Sequence, residues 1–147
     1  MNADSPEPRT HRQAAKDAKE PPRHIDEIAH RIIGAAIEVH RHLGPGFYER
    51  MYEEALVIEL GLRGILVERQ VPIPITYKNE PIGSAHLDLL VEGEVVVELK
   101  AVEALHRVHT AQVISYLQAG AFPLGLLLNF NVAALKEGGI RRVIGSP

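Results

Sequence analysis

Residues 86–100 read His86-Leu87-Asp88-Leu89-Leu90-Val91-Glu92-Gly93-Glu94-Val95-Val96-Val97-Glu98-Leu99-Lys100, and the way they pair decides the fold. Two aliphatic runs flank an acidic break that contains a glycine, which is the pattern of a β-hairpin. The second run is apolar enough to be a central strand, yet it carries Glu98 and Lys100, which share a face because side chains alternate with period two. Asp88 is a third charge embedded in an apolar strand. Burying charges costs roughly several kcal/mol per ion, so stability alone is a poor reason to place them there. Loop length settles whether they meet. If residues 92 and 93 alone form the loop, Asp88 lies across from Val97 and faces away from Glu98. A three-residue loop, 92–94, sets Asp88 directly across from Glu98. The three-residue loop or an equivalent bulge is expected, because two converging carboxylates beside an ammonium form a hard oxygen-ligand site for Mg²⁺ or Mn²⁺. A surface salt bridge is the bland reading of Glu98-x-Lys100 taken alone.

Outward from this hairpin, Ile25, Ile28, Ala29, Ile32, Ala36 and Val39 recur at helical spacing up to Leu43-Gly44-Pro45-Gly46, predicting a first helix with a Gly/Pro stop. A second helix is expected from near Phe47 to a stop at Gly61. Over residues 65–77 the period changes to two, with Pro72 and Pro74 on the outer parity, which suits an edge strand. Turn chemistry fills residues 78–83, and strands follow at about 84–91 and 95–102. Residues 105–119 read as a helix, 122–130 as a buried strand and 139–144 as a last short one. The expected order is α, α, β, β, β, α, β, β.

The chain has 147 residues, 46% of them hydrophobic, enough for one ordinary domain. Residues 1–23 hold four Pro and no Val, Ile, Leu, Phe, Tyr or Trp; they read as a disordered tail, with the domain spanning 24–147. No apolar run is long enough to span a membrane and the first large aliphatic after Met1 is Ile25, so a soluble, cytoplasmic protein without membrane contact is expected. Zero Cys excludes a disulfide framework, Cys-ligated zinc and a thiol nucleophile. The eight His offer His40-x-His42 and His106-x-x-His109, but with no HExxH or Cys partner a zinc site is disfavoured. Gly44-Pro45-Gly46 lacks the Lys-Ser/Thr ending of a phosphate loop and reads as a hinge. The formal net charge of -3 is not that of a basic nucleic-acid-gripping body, so any such surface must be local. Arg107, Lys136, Arg141 and Arg142 are the candidates for it.

Asp88 followed by Glu98-x-Lys100, ahead of Gln112-x-x-x-Tyr116 on the next helix, resembles the PD-(D/E)XK nuclease superfamily. More narrowly, Gly46-x-x-Glu49-x-x-Tyr52, residues 97–102 and Asn129-Phe130-Asn131-Val132 are similar to the bacterial family named for its GxxExxY signature. The resemblance covers residues 25–144. It implies an α/β, restriction-endonuclease-like fold: an αβββαβ core with a mixed central sheet, flanking helices and an extra N-terminal helix. It further implies a Mg²⁺- or Mn²⁺-dependent nuclease hydrolysing nucleic-acid phosphodiesters, DNA favoured over RNA. Asp88 and Glu98 would be metal ligands with Glu49 adding a carboxylate, Lys100 would position and activate the attacking water, and Gln112 and Tyr116 would orient the substrate or the site. The Pro of the motif is absent before Asp88, and His86 stands where relatives carry Arg.

Each residue also has a bland reading. Glu49 suits the first turn of a helix through the dipole, Tyr52 lies on the apolar stripe and is read as core, and Gln112 with Tyr116 could line a polar helix face. The competing function is a catalytically silent nuclease fold that binds nucleic acid or a protein partner. The acidic balance favours that alternative and the intact Asp88, Glu98 and Lys100 set argues against it. Low basicity also leaves room for a homodimer or a protein partner to complete the binding surface.

Overall fold

The computed structural model describes residues 20–145, so the expected tail, as far as residue 19, lies outside the described residues. The first apolar stripe forms α1 (Arg23–Leu43), which buries Ile25, Ala29, Ile32, Ala36 and Val39 and ends where Gly44 takes φ 67°. Helix α2 (Glu49–Leu62) follows. It runs through Gly61, the expected stop, by one residue, and the left-handed turn falls at Gly64 (φ 70°) instead. Strands β1 (Val67–Tyr77), β2 (Glu80–Val91) and β3 (Val95–Lys100) lead into α3 (Arg107–Gly120), then β4 (Leu124–Asn129) and β5 (Ile140–Ile144). Among the described residues no helix is long and apolar enough to cross a membrane.

The five strands form one mixed sheet in the order β1-β2-β3-β4-β5. All pairs are antiparallel except β3–β4, which runs parallel across the α3 crossover. This is the α/β architecture with flanking helices expected from the sequence, and Pro72 and Pro74 lie on the edge strand β1 as their missing N–H groups require. Strand β2 begins four residues earlier than expected. Lys78 and Asn79, both at positive φ, close a two-residue turn, and a bulge between Ile75 and Thr76 absorbs the extra residue. Pro81 is tolerated in β2 because β3 pairs only with residues 89–91, leaving that side of the strand without a ladder.

Two cores lie on opposite faces of the sheet. Helices α1 and α2 cover one, built around Ile32, Leu56, Leu89, Val97, Leu126 and Phe130. Helix α3 covers the other through Val113 and Leu117 against Val96 and Leu127. Gly125 permits that approach, since a Cβ there would sit 2.6 Å from Val113 Cγ1. Along the β1–β2 ribbon the cores change over. Val67 and Leu89 pack on the α1/α2 side, whereas Val71, Ile73 and Leu87, of the same parity, pack on the α3 side. The change falls at Gln70, whose φ of 49° is rare for a non-glycine strand residue and sharpens the local twist. Gln70 occupies the register position opposite Asp88, between the pairs Arg69–Leu89 and Val71–Leu87.

Candidate active site

Pairing of Leu89 with Val97 and Val91 with Val95 leaves residues 92–94 as a three-residue loop, with Glu92 and Gly93 at positive φ. That register continues to Asp88 opposite Glu98, but there the ladder stops and the strands part. The carboxylates take over the backbone's work. Asp88 N–H donates to Glu98 Oε1 at 3.0 Å, and Leu99 N–H donates to Asp88 Oδ2 at 2.9 Å. Each acid therefore accepts an amide from the opposite strand, which fixes both side chains with no side-chain cation among the described residues in contact with them.

Glu98 is only 3% exposed. Burial, then the neighbouring Asp88 charge, pushes its carboxyl up to about 8. Asp88 is also raised, chiefly by burial and against the opposing effect of the Leu99 amide. The Asp88 charge opposes ionisation of Glu98, and positive charge beside the pair relieves that opposition. Glu49, at the start of α2, is raised by desolvation and by Asp88; it lines a cavity of about 440 Å³ together with Asp88, Arg50 and Glu53. Among the described residues no three or more His, Asp or Glu side chains converge on one metal position. Asp88 and Glu98 are thus brought together, and Glu49 faces them from the adjoining cleft.

From β3 the site continues to α3. Lys100 Nζ donates to Gln112 Oε1 at 3.2 Å, and Gln112 Nε2 donates to the Tyr116 hydroxyl oxygen at 2.8 Å. Because an ammonium only donates, it fixes the amide orientation and makes Tyr116 an acceptor from Gln112, leaving the phenol proton for another group. Burial and the Glu98 charge both raise Tyr116, which keeps that proton in place.

Residues 26–143 match the family described as the PD-(D/E)XK nuclease superfamily. The chain belongs to that superfamily. None of the curated proteins and none of the solved structures compared with it matches. Within the matched range Asp88 lies on β2, Glu98 and Lys100 lie on β3, and Gln112 and Tyr116 lie on α3.

Other residues of this PD-(D/E)XK domain hold the site in shape. Tyr52 is fully buried, stacks on Phe130 at 4.6 Å, donates to Gly44 O at 2.6 Å and accepts from Phe47 N–H at 3.2 Å. It pins the α1–α2 hinge, in which Gly46 takes φ 109°, and so aims the first turn of α2, and with it Glu49, at the cleft. Tyr52→Phe is expected to lower stability by ~1 kcal/mol, read as a lower midpoint in urea, because it takes the shared hydroxyl from two part-buried backbone groups, Gly44 O and Phe47 N–H. Asn129, also buried, accepts from the N–H groups of Val102 and Asn131 and donates to Val102 O, clamping the chain just after Lys100.

A network absent from the sequence reading lies beside Asp88. Glu53 is buried on α2 and accepts from Arg69 Nη2 and Gln70 Nε2, both at 2.8 Å; Arg69 also holds Glu54 at 2.7 Å. The signal available was the Glu49/Glu53 pair one helical turn apart, a repulsive spacing unless a cation answers it. Arg69→Ala is expected to cost ~1–3 kcal/mol by leaving the Glu53 charge unanswered. The loss should be partly recovered in Arg69→Ala/Glu53→Gln, which chemical denaturation would show.

The expected phosphate contacts divide. Arg141 donates to Thr110 on α3 at 2.7 Å and, with Lys100 and His106, lies near enough to His109 to hold its pKa down, after desolvation as the larger cause. Arg107 opens α3 and is exposed. Arg142 turns the other way and pairs with Asp26 of α1, and Lys136 lines a separate cavity with His40 and Arg41. Neither belongs to the site. The histidine pairs serve other ends: His40 Nε2 donates to Val132 O at 2.8 Å, His42 meets Glu38, and His109 Nδ1 accepts from His106 N–H.

Proposed function

We propose that this domain hydrolyses phosphodiester bonds of nucleic acid, DNA in preference to RNA, with Mg²⁺ or Mn²⁺, and that it belongs to the GxxExxY branch of its superfamily. The observation that carries the reading is the pair of half-buried Asp88 and buried Glu98 carboxyls bound to the parted strands, with the Lys100 ammonium two residues beyond Glu98. The donor set fits a divalent cation. Two hard carboxylates already held by amides retain Glu98 Oε2 and Asp88 Oδ1 with no N–H donor among the described residues, and their mutual repulsion is relieved by positive charge. Mg²⁺ commonly takes only one or two protein carboxylates and completes its shell with water and substrate oxygens, so Glu49 supplies a third acid at the rim. When bound, such a cation contributes charge neutralisation and Lewis acidity at a phosphate.

The chain's own groups do the rest. Lys100, held by Gln112, presents its remaining N–H bonds to the attacking water and to the charge that develops on the phosphate oxygens. Tyr116 offers its phenol proton to an acceptor on the substrate, oriented by the amide of Gln112. Arg141, which with Lys100 lies near His109, provides local positive surface that the whole-molecule charge lacks.

Two measurements test this. Thermal stability should rise on titration with Mn²⁺ or Mg²⁺ in the wild type and not in Asp88→Ala or Glu98→Ala. Incubation of single-stranded, duplex and branched DNA, and of RNA, with Mn²⁺ should show cleavage that is lost in Lys100→Ala. Metal binding without cleavage of any substrate would support the silent binding module instead, and equal cleavage by both proteins would refute the assigned site.

A further inference from the structure

We propose that His109, with Arg141, seats a backbone phosphate of the nucleic acid beside the scissile one, and that His109 contacts it through Nε2–H. On the nuclease reading above, on which this rests, the seat is the basic side of the same site. Glu98 on β3 pairs with Leu127 on β4, and Leu127 pairs with Arg141 on β5, so the three stand in one row across the sheet. Leu127 packs under α3, which puts Glu98 and Arg141 on the α3 face, together with Lys100 two residues along from Glu98. Two strand spacings, about 10 Å, separate the backbones of Glu98 and Arg141. An anion held at Arg141 therefore lies beside the acid pair and not upon it.

Helix α3 anchors three donors here, and each anchor is neutral. Lys100 Nζ donates to Gln112 Oε1 at 3.2 Å, and Arg141 Nη1 donates to Thr110 Oγ1 at 2.7 Å. His109 Nδ1 accepts from the His106 N–H at 2.9 Å. A ring nitrogen that accepts carries no proton, so the hydrogen of the His109 ring stands on Nε2, at the far side of the ring. Desolvation, followed by Lys100, His106 and Arg141, lowers the pKa of that ring, in agreement with an unprotonated Nδ1. Among the described residues none of Lys100, Arg141 and His109 forms an ion pair with a carboxylate. Two oriented cations and a fixed N–H, answered by no acid, are arranged for an anion that only accepts. A phosphodiester is such an anion, and its two non-bridging oxygens let it take a guanidinium and a ring N–H together. His109 also caps α3 through Nδ1, at the helix position where Glu and Gln make the same contact. Substitution by those residues separates the cap from the phosphate contact.

Single-turnover cleavage of single-stranded DNA with Mn²⁺, followed against protein concentration, separates half-saturation from maximal rate, and urea unfolding reports the cap. His109→Ala should raise the half-saturating concentration about tenfold, as expected for one lost hydrogen bond to a charged group, with the maximal rate within about threefold of wild type. His109→Gln should recover most of that loss, since its amide caps with Oε1 and donates with Nε2. His109→Glu should keep or raise the urea midpoint, because its carboxylate caps the helix, yet it should bind DNA more weakly than His109→Ala. Val108 is 67% exposed, and Val108→Glu controls for the added charge; its half-saturation should stay within about threefold of wild type. Half-saturation that follows the urea midpoint through the series, or His109→Glu binding as well as Val108→Glu, would overturn the seat and leave the nuclease reading standing. A fall in maximal rate alone in His109→Ala would do the same. A wild type that cuts no nucleic acid would overturn both.

Discussion

Lys100→Ala is expected to slow phosphodiester cleavage by on the order of 10²–10³-fold while the protein stays folded and still takes up a divalent cation. The ammonium stands on β3 two residues after Glu98, and Gln112 Oε1 holds it at 3.2 Å. Its removal takes a preorganised donor from a site shielded from water and also frees the Gln112 amide, and through it Tyr116. Cation affinity should hold or improve, because a positive neighbour has gone. Lys100→Arg should not restore the rate, since a planar guanidinium cannot place three rotatable donors where the ammonium does. Single-turnover cleavage alongside a metal-binding isotherm separates the two effects; a rate within about threefold of wild type would remove Lys100 from the chemistry.

The second large effect concerns pH and needs no substrate. Glu98 has its carboxyl raised in the folded protein from the ordinary 4.5 to about 8, and Asp88 is raised in the same direction. A group whose folded pKa is raised favours folding while protonated, so its contribution is fully present below about pH 4.5 and is lost as pH rises through about 8. The metal-free protein should therefore become less stable between pH 5 and pH 8, by on the order of a few kcal/mol and ~5–10 °C in thermal midpoint. Glu98→Gln, which cannot ionise, should flatten the slope. Saturating Mg²⁺ should flatten it too, by answering the charge directly. A metal-free wild type whose midpoint is level or rising across that window would show that the carboxyls do not crowd each other as the geometry requires.

The hairpin register was legible because two demands met in one short stretch: the charges at 88 and 98 had to share a face, and the Glu92-Gly93-Glu94 break could supply an odd loop. Element order was legible for the same reason that it usually is in strong patterns, the switch from helical to alternating spacing. Boundaries were harder. Lys78 and Asn79 turn the chain in two residues, so the Pro and Gly that follow, which read as loop, lie in β2. Gly61 stayed helical because nothing after it forced the turn until Gly64.

Within the site, Glu98, Lys100, Gln112 and Tyr116 were readable as positions because each pair shares a local period. Glu53, Arg69 and Gln70 were not, since 16 and 17 residues separate the partners and a left-handed strand residue joins them. Arg142 was misplaced for a reason the sequence did contain. Adjacent strand residues face opposite ways, so Arg141 and Arg142 could not both reach one surface.

The parting of β2 from β3 gives the sheet the shape of a fork. One prong is the β1–β2 ribbon, joined at its root by three residue pairs, 89–91 with 95–97. From that root to the turn at Lys78 and Asn79 the prong extends about 30 Å, so a rocking of ~5° there displaces its tip by nearly 3 Å. Asp88 lies at the root, where the same rotation moves it hardly at all. Val71, Ile73 and Leu87 brace the near half of that prong on α3, which keeps the gap between the two acids constant.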